Sequence, residues 1–290
     1  LTLTGASSGG TGGLEKAGAG TLNLSGNHSY SGSTLVSGGT LTISGEMTNT
    51  DLIHVYGGGT LNVATGGSLT TGSGGHFAIG SGKGSHGTVN VSGDLNIGGG
   101  YGAVYIGGRL HNTGTAGTGT LNINDGGTVS IAGGGRSTTR GAHAWRVWLN
   151  PWDTGAVNSS TTGATINVNS GGTLETGRVL SEGYHGKAEI NFDGGTLKAL
   201  GNGDLIHNDN DTNLIVTINA DGVGADGLTV DTNGFNTRIA KGMGGTGGMT
   251  LDGTGGGTLR LNKANTYTGG TTVDNGTLLL QYESGGTGTI

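Results

Sequence analysis

Residues 119–131 read GTLNINDGGTVSI and carry the pattern that decides the fold. Apolar and polar residues alternate at 120–123 and again at 128–131, which predicts two short β-strands, each with one apolar face. The NDGG between them predicts a turn, because Asn and Asp tolerate left-handed backbone and Gly adopts it without steric cost. Each strand is too short to form a core alone and must therefore stack on similar strands.

Similar four-residue strands recur along the chain. They share a Thr followed by apolar, polar and apolar residues, and they start at Thr21, Thr40, Thr60, Thr88, Thr120, Thr165 and Thr258. A repeat of about 20–30 residues built from short strands is typical of a solenoid. We therefore predict an all-β, right-handed, single-stranded parallel β-helix of about 11–14 rungs, with Leu, Ile and Val inside. At about 4.8 Å per rung, it would be roughly 55–65 Å long.

Asparagine often occupies the outward polar position of these short strands. The residues concerned are Asn23, Asn62, Asn90, Asn122, Asn167 and Asn191. Stacked rungs bring equivalent positions of successive strands above one another, and stacked asparagines can bond through their amides. We therefore expect outward polar ladders along the solenoid, with a register that the sequence leaves open.

The composition excludes several classes of protein. The chain has 290 residues with 70 Gly and one Pro, and Gly does not fall at every third position, so it is not a collagen. A formal net charge of −6 without a basic face argues against nucleic-acid binding. No apolar run approaches about 18 residues, so we expect no membrane insertion. The chain has no Cys, which excludes disulfides and fits export across an envelope.

Two segments near the ends of the chain share three submotifs in the same order. Residues 12–45 contain GTLNL, YSG and GTL, and residues 247–281 contain GTLRL, YTG and GTL at similar spacing. Both segments resemble the autotransporter-associated β-strand repeat of passenger domains in type V secreted proteins. Residues 74–132 resemble the Ile-Gly and Gly-Thr-Leu repeats of autotransporter-like surface proteins. The resemblance implies a right-handed parallel β-helix and an extracellular or cell-surface location, but no particular activity.

The expected domain organisation is simple. An N-terminal strand and a Gly/Ser linker span residues 1–13, and a parallel β-helix domain spans residues 14–290. A non-repeat insertion at residues 136–152 interrupts the short-strand pattern. Because the sequence starts at Leu1 without Met or a signal peptide, we interpret it as a mature or trimmed product.

The insertion at residues 136–152 holds all three tryptophans and the only proline. Its candidate interface or glycan-binding residues are Arg136, Arg140, Trp145, Arg146, Trp148 and Trp152. The face of a Trp ring can pack on a sugar ring, and the guanidinium of Arg can bind a carboxylate through two hydrogen bonds. Both residue types are also frequent in protein interfaces. The sequence leaves three interpretations open: packing on the flank of the solenoid, contact with another protein, and glycan binding.

The two ends of the sequence lack the polar caps that usually close a solenoid. An open end presents unpaired backbone groups over an apolar core. Leu1 and Leu3 at one end, and Leu278 and Leu280 at the other, are therefore candidate self-association residues. End-to-end addition is heterologous and would give a head-to-tail homopolymer. Loss of the caps by proteolysis or at a chain boundary is the alternative.

One group of charged residues could in principle carry catalysis. Its members are Glu175, Glu182, Glu189 and Asp193, with Arg178 and Lys187 nearby. A polysaccharide lyase or hydrolase needs paired carboxylates, or a base with flanking Arg, on one exposed face. A solvated charged face explains the group equally well, and the fold alone does not establish an activity. We therefore expect no enzyme activity and no cofactor.

The remaining polar motifs give little support for a metal site. Residues 201–205 and 209–211 resemble a calcium-binding turn, but only one degenerate copy is present where such repeats need stacked copies. His76, His86 and His111 fall near corresponding turns without a metal-ligand spacing. Solvated turn residues explain both groups, and we expect no metal.

Two functions from different classes remain. The leading interpretation is an extracellular, non-enzymatic structural protein, namely a β-helical surface or fibre subunit that self-associates end to end. The alternative is an adhesin passenger domain that binds glycans or a host or cell surface. The expected partners are therefore other copies of the chain, with glycans or a cell surface under the alternative.

Overall fold

The computed structural model describes residues 1–49, 51–72, 76–81, 85–98, 103–110, 113–132, 146–151, 162–181, 186–208, 213–220 and 227–281. Every secondary-structure element in these ranges is a β-strand. The strands form three long sheets, named A, B and C below, in which neighbours are parallel apart from one short antiparallel strand. This architecture confirms the predicted all-β parallel β-helix.

Three sets of strands make up the sheets. Sheet A contains β1 (Thr2–Leu3), β4 (Thr21–Leu24), β7 (Thr40–Ile43), β10 (Gly59–Val63), β13 (His86–Val91), β17 (Thr113–Ile123), β20 (Thr162–Asn169), β23 (Lys187–Asp193), β26 (Leu214–Ile218) and β29 (Met243–Gly245), with β16 (Gly108–Leu110) antiparallel to β17. Sheet B contains β2 (Ser7–Gly10), β5 (Asn27–Tyr30), β8 (Glu46–Asn49), β11 (Ser68–Thr71), β14 (Asp94–Ile97), β18 (Thr128–Ile131), β21 (Thr173–Thr176), β24 (Gly195–Ala199), β27 (Gly227–Asp231), β30 (Gly248–Asp252) and β32 (Thr271–Asn275). Sheet C contains β3 (Leu14–Lys16), β6 (Thr34–Val36), β9 (Ile53–Val55), β12 (Phe77–Ile79), β15 (Ala103–Ile106), β19 (Arg146–Leu149), β22 (Arg178–Ser181), β25 (Gly203–Asn208), β28 (Asn236–Ile239), β31 (Thr258–Leu261) and β33 (Thr277–Leu280).

The chain visits the sheets in the fixed order A, B, C, and each circuit is one rung. Among the described residues ten rungs are complete, and β32 and β33 form part of an eleventh. Counting the partial rung, the described solenoid has eleven rungs, which is the lower limit of the expected range. Apart from the antiparallel β16–β17 pair, consecutive strands belong to different sheets, so the parallel ladders join residues that are distant in sequence.

The interior of the solenoid is a column of apolar side chains. On sheet A, Leu41, Leu61 and Val89 occupy the same inward position in three successive rungs and are fully buried. The same hydrophobic cluster extends from Leu24 in the second rung to Leu261 in the tenth. Burying such a side chain stabilises the fold by about 1.5–3 kcal/mol. Each rung therefore depends on its neighbours to cover its core.

The expected asparagine ladder runs along the outer face of sheet A. Asn90 Nδ2 donates to Asn62 Oδ1 at 2.9 Å, and Asn122 Nδ2 donates to Asn90 Oδ1 at 2.7 Å. Asn167 and Asn191 continue the ladder with bonds of 2.7 Å and 3.0 Å. Each bond links adjacent rungs, so the side chains reinforce the register set by the backbone.

Asn23 is the exception, and its expected place in this ladder is wrong. Thr42 occupies the outward position between Asn23 and Asn62 in the register of sheet A. A threonine hydroxyl is too short to relay the amide-to-amide contact across this rung. Asn23 Oδ1 instead accepts a hydrogen bond from Ser44 Oγ at 2.9 Å.

The tyrosine submotif that the two repeats share forms the same contact in both. Tyr30 OH lies 2.8 Å from Thr34 Oγ1, and Tyr267 OH lies 2.6 Å from Thr271 Oγ1. In the first copy, Tyr30 lies in sheet B and Thr34 begins the next strand, which belongs to sheet C. In the second copy, Thr271 begins a strand that belongs to sheet B. The motif therefore builds a corner from local contacts, independently of which sheet follows.

The glycine in each copy of this submotif is required by close backbone approach. A Cβ at Gly32 would lie 2.6 Å from backbone atoms of Gly12 and Gly13 in the preceding rung. A Cβ at Gly269 would lie 2.4 Å from backbone atoms of Gly247 and Gly248. Only glycine allows successive rungs to approach so closely at these two corners.

Residues 1–13 differ from the expected strand and linker. β1 pairs with β4, and β2 pairs with β5, so these residues supply two sides of the first rung. β2 reads SSGG and has no apolar alternation. This segment adopts an extended conformation because the edge of β5 has backbone N–H and C=O groups with which it can form hydrogen bonds. The linker prediction is therefore wrong for Ser7–Gly10.

The expected insertion at residues 136–152 also contains a regular strand. β19 (Arg146–Leu149) lies in sheet C between β15 and β22. Val147 and Leu149 face the core and are fully buried. Residues 136–145 and 152 lie outside the described residues. The non-repeat interpretation is therefore wrong for this strand, which contributes to the core like its neighbours.

The asparagine ladder makes a direct prediction about stability. Asn122→Ala removes one amide that both donates and accepts, so we expect a loss of about 1–2 kcal/mol in the free energy of unfolding, measured with denaturant. Asn23→Ala is the matched control on the same face, outside the ladder, and should cost less. Equal losses in the two variants would show that the ladder adds nothing.

Candidate functional site

A groove of about 540 Å³ lies on the outer face of sheet C near its C-terminal end. Its lining residues belong to four successive rungs and are Gly203, Asp204, Asn236, Thr237, Arg238, Thr258, Arg260, Thr277 and Leu279. Four strands carry them, namely β25, β28, β31 and β33. The groove is therefore built by stacking and not by a single loop.

Parallel register arranges the groove into two columns of outward side chains. The first column contains Asn236, Thr258 and Thr277, which are register partners in successive rungs. The second column consists of Asp204, Arg238, Arg260 and Leu279 in the same rung order. One column is polar and uncharged, and the other changes from an acid through two arginines to an apolar residue.

Asp204 is the anchor of the second column. Arg238 Nε donates to Asp204 Oδ1 at 2.5 Å, and Arg238 Nη2 donates to Asp204 Oδ2 at 2.7 Å. His207 Nδ1 forms a further hydrogen bond with Asp204 Oδ2. This two-pronged contact fixes the plane of the guanidinium, because the fork of Arg matches a carboxylate.

The same contacts control the ionisation of Asp204. Burial of Asp204 acts to raise its pKa, but hydrogen bonds from His207 and Arg238 and the charge of Arg238 together hold the pKa well below its usual range. Asp204 therefore remains a carboxylate at neutral pH. Asp204 is itself buried, and it compensates the charge of the partly exposed Arg238.

Arg260 is the next basic residue of the second column. It is exposed, and no carboxylate among the described residues lies within ion-pair distance of its guanidinium. Arg238 is its register partner in the preceding rung, so the two arginines occupy neighbouring positions on one face. Like charges directly opposite one another are destabilising unless another group offsets them. The groove therefore has a net positive charge beside Arg260.

Charges of opposite sign are separated in these rungs. Lys241 and Lys263 follow β28 and β31, so further cations lie beyond the two arginine-bearing strands. The described acidic residues of the ninth to eleventh rungs are Asp231, Asp252 and Asp274, and all of them belong to strands of sheet B. The chain is acidic overall, yet this part of sheet C is basic.

Sequence reasoning did not find this groove. Asp204 and Arg238 are 34 residues apart, and rungs of unequal length hide their alignment. One signal was available: Arg260 stands in GTLRL where Asn23 stands in GTLNL of the first repeat. Arg260 therefore departs from the repeat, because it places a charge at a position that holds a neutral polar residue in the first copy.

Trp148 and Arg146 do not form the exposed site that the sequence analysis considered. Trp148 is 3% exposed, and its ring stacks on Tyr105 with centroids 6.0 Å apart. Tyr105, Trp148 and Leu180 belong to a small apolar cluster on the outer side of sheet C. Arg146 is also buried. Of the three interpretations, flank packing therefore describes Trp148, whereas Arg136, Arg140, Trp145 and Trp152 lie outside the described residues.

Tyr105 is the centre of this outer cluster. The ring of His76 meets the ring of Tyr105 edge-on, with centroids 5.3 Å apart. His76 immediately precedes β12 and Trp148 lies in β19, so the two rings approach Tyr105 from the strands on either side of β15. Burial raises the pKa of Tyr105 to about 12, so its hydroxyl stays protonated at physiological pH. The cluster is thus a packed, uncharged feature and not an open binding face.

The candidate self-association residues lie at the two ends of the described solenoid. Leu1 is 84% exposed and Leu3 is 42% exposed in the first rung. Leu278 and Leu280 are half-buried in β33, where they pack against the core cluster. Leu3 is the register partner of buried Leu24, and Leu278 and Leu280 are the register partners of buried Leu259 and Leu261, so these three occupy inward positions of their strands.

The structure separates the carboxylates of the possible catalytic group. Glu175 lies on sheet B and contacts Lys198 at 3.0 Å, whereas Glu189 lies on sheet A and contacts Lys187 at 2.5 Å. A hydrogen bond to Glu175 is the main cause of a raised pKa at Lys198. Asp193 ends β23, and Glu182 lies outside the described residues. The group therefore does not form a single pair of carboxylates.

The turn and histidine motifs are likewise dispersed. Asp204, in the first part of the calcium-like motif, accepts a hydrogen bond from Arg238. The second part, residues 209–211, lies outside the described ranges. His86 contacts the hydroxyls of two threonines on sheet A, and His111 is not among the described residues. Within the described ranges, no three His, Asp or Glu residues are grouped as metal ligands. A search of the same ranges found no helix with the length and apolarity to cross a membrane.

Trp148 makes the first prediction from this face. Trp148→Ala would leave a cavity against Tyr105, so we expect the free energy of unfolding to fall by about 3–5 kcal/mol. Trp148→Phe keeps most of the packing and should cost less. Val273→Ala, at an exposed site in β32, is the control for a change without a cavity. An unchanged denaturation midpoint in Trp148→Ala would rule out the packing role.

Asp204 predicts a pH-dependent stability. Because the folded-state pKa is lowered, its carboxylate stabilises the fold above the ordinary carboxyl pKa of about 3.9, and this contribution is lost as the pH falls further. Asp204→Asn should therefore be less stable than the parent chain at pH 7, and the difference should shrink below about pH 4. Denaturant unfolding at several pH values measures it, with exposed Asp94→Asn as the control. A pH-independent difference would contradict the role of the charge.

Comparisons with known proteins identify the repeats. The profile of the passenger-associated-transport-repeat family matches residues 14–43 and 254–280. A search of curated proteins found no match. Among solved structures, a crystal structure of a TibC-catalysed hyper-glycosylated TibA fragment aligns with 17% identity over 92% of this chain and 94% of that chain, but its TM-score of 0.18 supports no argument. The matched segments coincide with the two that resemble each other in sequence, so the chain carries two copies of the passenger-associated-transport-repeat.

Proposed function

We propose that this chain is a non-enzymatic structural protein that acts as a rigid β-helical rod outside the cell. The observation that carries the proposal is the single core cluster that runs from the second rung to the tenth without interruption. A solenoid of this kind transmits load along its axis, because every internal strand is hydrogen-bonded on both sides. The passenger-type repeats support a secreted or cell-surface location.

The distribution of acidic side chains supports the non-enzymatic part of this proposal. Glu175 and Glu189 lie on different sheets, and each is held by its own lysine. A hydrolytic pair of carboxylates has to face one substrate from the same side. Among the described residues, Asp204 is the most buried carboxylate with charged partners, and it is engaged by Arg238 and His207.

The rod proposal has a simple test in solution. Eleven rungs at about 4.8 Å give a body roughly 50 Å long, with a cross-section set by three short strands. Small-angle X-ray scattering of the purified monomer should give an elongated distance distribution with a maximum consistent with that length. A compact, nearly spherical distribution, or a circular dichroism spectrum dominated by helix, would contradict the proposal.

End-to-end association is the finer part of the proposal. The exposed Leu1 and Leu3 offer apolar contact at one end, and Leu278 and Leu280 offer it at the other. Lys16 limits the strength of such a contact, because it points inward in the first rung and its Nζ donates to three carbonyls at 2.8–3.0 Å. An inward charge at a sheet edge discourages stacking. We therefore expect weak, concentration-dependent association.

Association can be measured by sedimentation velocity over a range of concentrations. Leu1→Ser with Leu3→Ser should shift the distribution toward monomer, because the apolar contact is lost. Leu279→Ser is the matched control, since Leu279 is 40% exposed on the outer face of the last described rung. A monomer at every concentration, or equal effects of the two variants, would exclude end-to-end association.

Ligand binding of the adhesin type is a second candidate. The observation that favours it is the basic groove on sheet C, where exposed Arg260 has no ion-pair partner among the described residues. This candidate and the structural role are compatible, because a rod can carry a binding site on one face.

A further inference from the structure

We propose that the groove on sheet C binds the carboxylate of an acidic sugar, such as a uronic acid residue in a polysaccharide. Arg260 would hold the carboxylate, and the neutral column beside it would hold the sugar hydroxyls. This inference goes beyond the rod function and does not depend on end-to-end association. It rests on the charge, register and side-chain chemistry of the four rungs that line the groove.

Arg260 supplies the charge. Its guanidinium is exposed and faces no carboxylate among the described residues, so its fork of N–H donors is available. A planar guanidinium binds a carboxylate through two parallel hydrogen bonds, which gives geometric selectivity as well as attraction. An incoming carboxylate would also offset the repulsion between Arg260 and Arg238, its neighbour in the stack.

Arg238 and Asp204 show that the column already accepts this geometry. The Asp204 carboxylate receives two hydrogen bonds from Arg238 at 2.5 Å and 2.7 Å on the outer face of sheet C. Arg260 repeats the position of Arg238 one rung further along, without an Asp204 of its own. Leu279 occupies the next position in the column, so no acidic side chain follows Arg260. A ligand carboxylate beside Arg260 would complete the pattern.

The other lining residues match the remainder of a sugar ring. Asn236, Thr258 and Thr277 form a row with the spacing of the rungs, and the two threonine hydroxyls have no hydrogen-bond partner among the described residues. Hydroxyl and amide groups can exchange hydrogen bonds with sugar hydroxyls in either direction. Leu279 is 40% exposed and can pack against the C–H face of a ring. The groove thus combines a charge, neutral hydrogen-bonding groups and an apolar edge.

Charge elsewhere on the chain argues for a local carboxylate and against a dense polyanion. The chain carries a formal net charge of −6, and the described acids of the ninth to eleventh rungs lie on sheet B. A nucleic acid or a heavily sulfated polymer needs an extended basic face for strong binding. A polymer with one carboxylate per ring meets Arg260 with less repulsion from the rest of the surface.

Calorimetric titration of the purified chain with a trigalacturonate oligosaccharide tests the proposal. We expect saturable binding that weakens as salt is raised, since the key contact is exposed and ionic. The methyl ester of the same oligosaccharide lacks the charge and should bind at least about tenfold more weakly. Arg260→Gln should lower the affinity for the charged ligand by about 10- to 100-fold.

Two further variants separate the fork from simple charge and from folding. Arg260→Lys keeps the charge without the fork and should bind with intermediate affinity. Arg178→Gln is the matched control, because Arg178 begins β22 on the same sheet outside the groove. Each variant should retain the β-sheet circular dichroism of the parent chain. Absence of saturable binding, equal binding of the methyl ester, or equal affinities of Arg260→Gln and Arg178→Gln would each overturn the proposal.

Discussion

The whole structure depends on the in-register stacking of one rung on the next. A single rung of this chain is three short strands, which can neither satisfy its own backbone groups nor cover its own apolar side chains. Stacking solves both problems at once, because the parallel ladder at about 4.8 Å pairs the backbone and places Leu, Ile and Val directly above their equivalents. The close approaches at Gly32 and Gly269 are a consequence of the same constraint.

Stacking fixes the inward positions and leaves the outward positions free to differ. Sheet A uses this freedom for an amide ladder, and sheet B aligns Glu175, Lys198 and Asp231 so that charges alternate. Sheet C carries a packed aromatic cluster around Tyr105 in its middle and a basic groove around Arg260 near its C-terminal end. A binding site on such a solenoid is therefore formed by a column of residues from separate rungs. Neighbouring residues of the column are separated by a whole rung of chain, which would span several tens of ångströms if extended, but they lie only one ladder spacing apart in space.

The sequence predicted those features that repeat and missed those that do not. Apolar alternation and turn glycines indicated the β-helix, and the recurrent asparagines indicated the ladder from Asn62 to Asn191. Pattern alone could not show that Thr42 interrupts this ladder, because register depends on loop lengths. It also missed β2, since SSGG has no apolar alternation and becomes a strand only through pairing with β5.

The candidate site was harder to predict for the same physical reason. Trp148 looked like part of an exposed insertion, because its neighbours in sequence are basic and aromatic, but its strand is continuous with sheet C. The groove combines Asp204, Arg238 and Arg260 across three rungs whose lengths differ, so no local spacing reveals it. The departure of Arg260 from the repeat was visible, but its neighbours in the groove could be identified only from the register.

In-register stacking can be tested most directly by cross-linking, because the chain contains no native cysteine. Thr88 and Thr120 are register partners on the outer face of sheet A, so Thr88→Cys with Thr120→Cys should form an intramolecular disulfide under mild oxidation. Asn90→Cys with Thr120→Cys is offset by two residues on the same face, at roughly 8 Å, and should remain reduced. Rapid cross-linking of the first pair alone is the result that this account predicts. Equal or faster cross-linking of the offset pair would contradict the register on which the core, the ladder and the groove all depend.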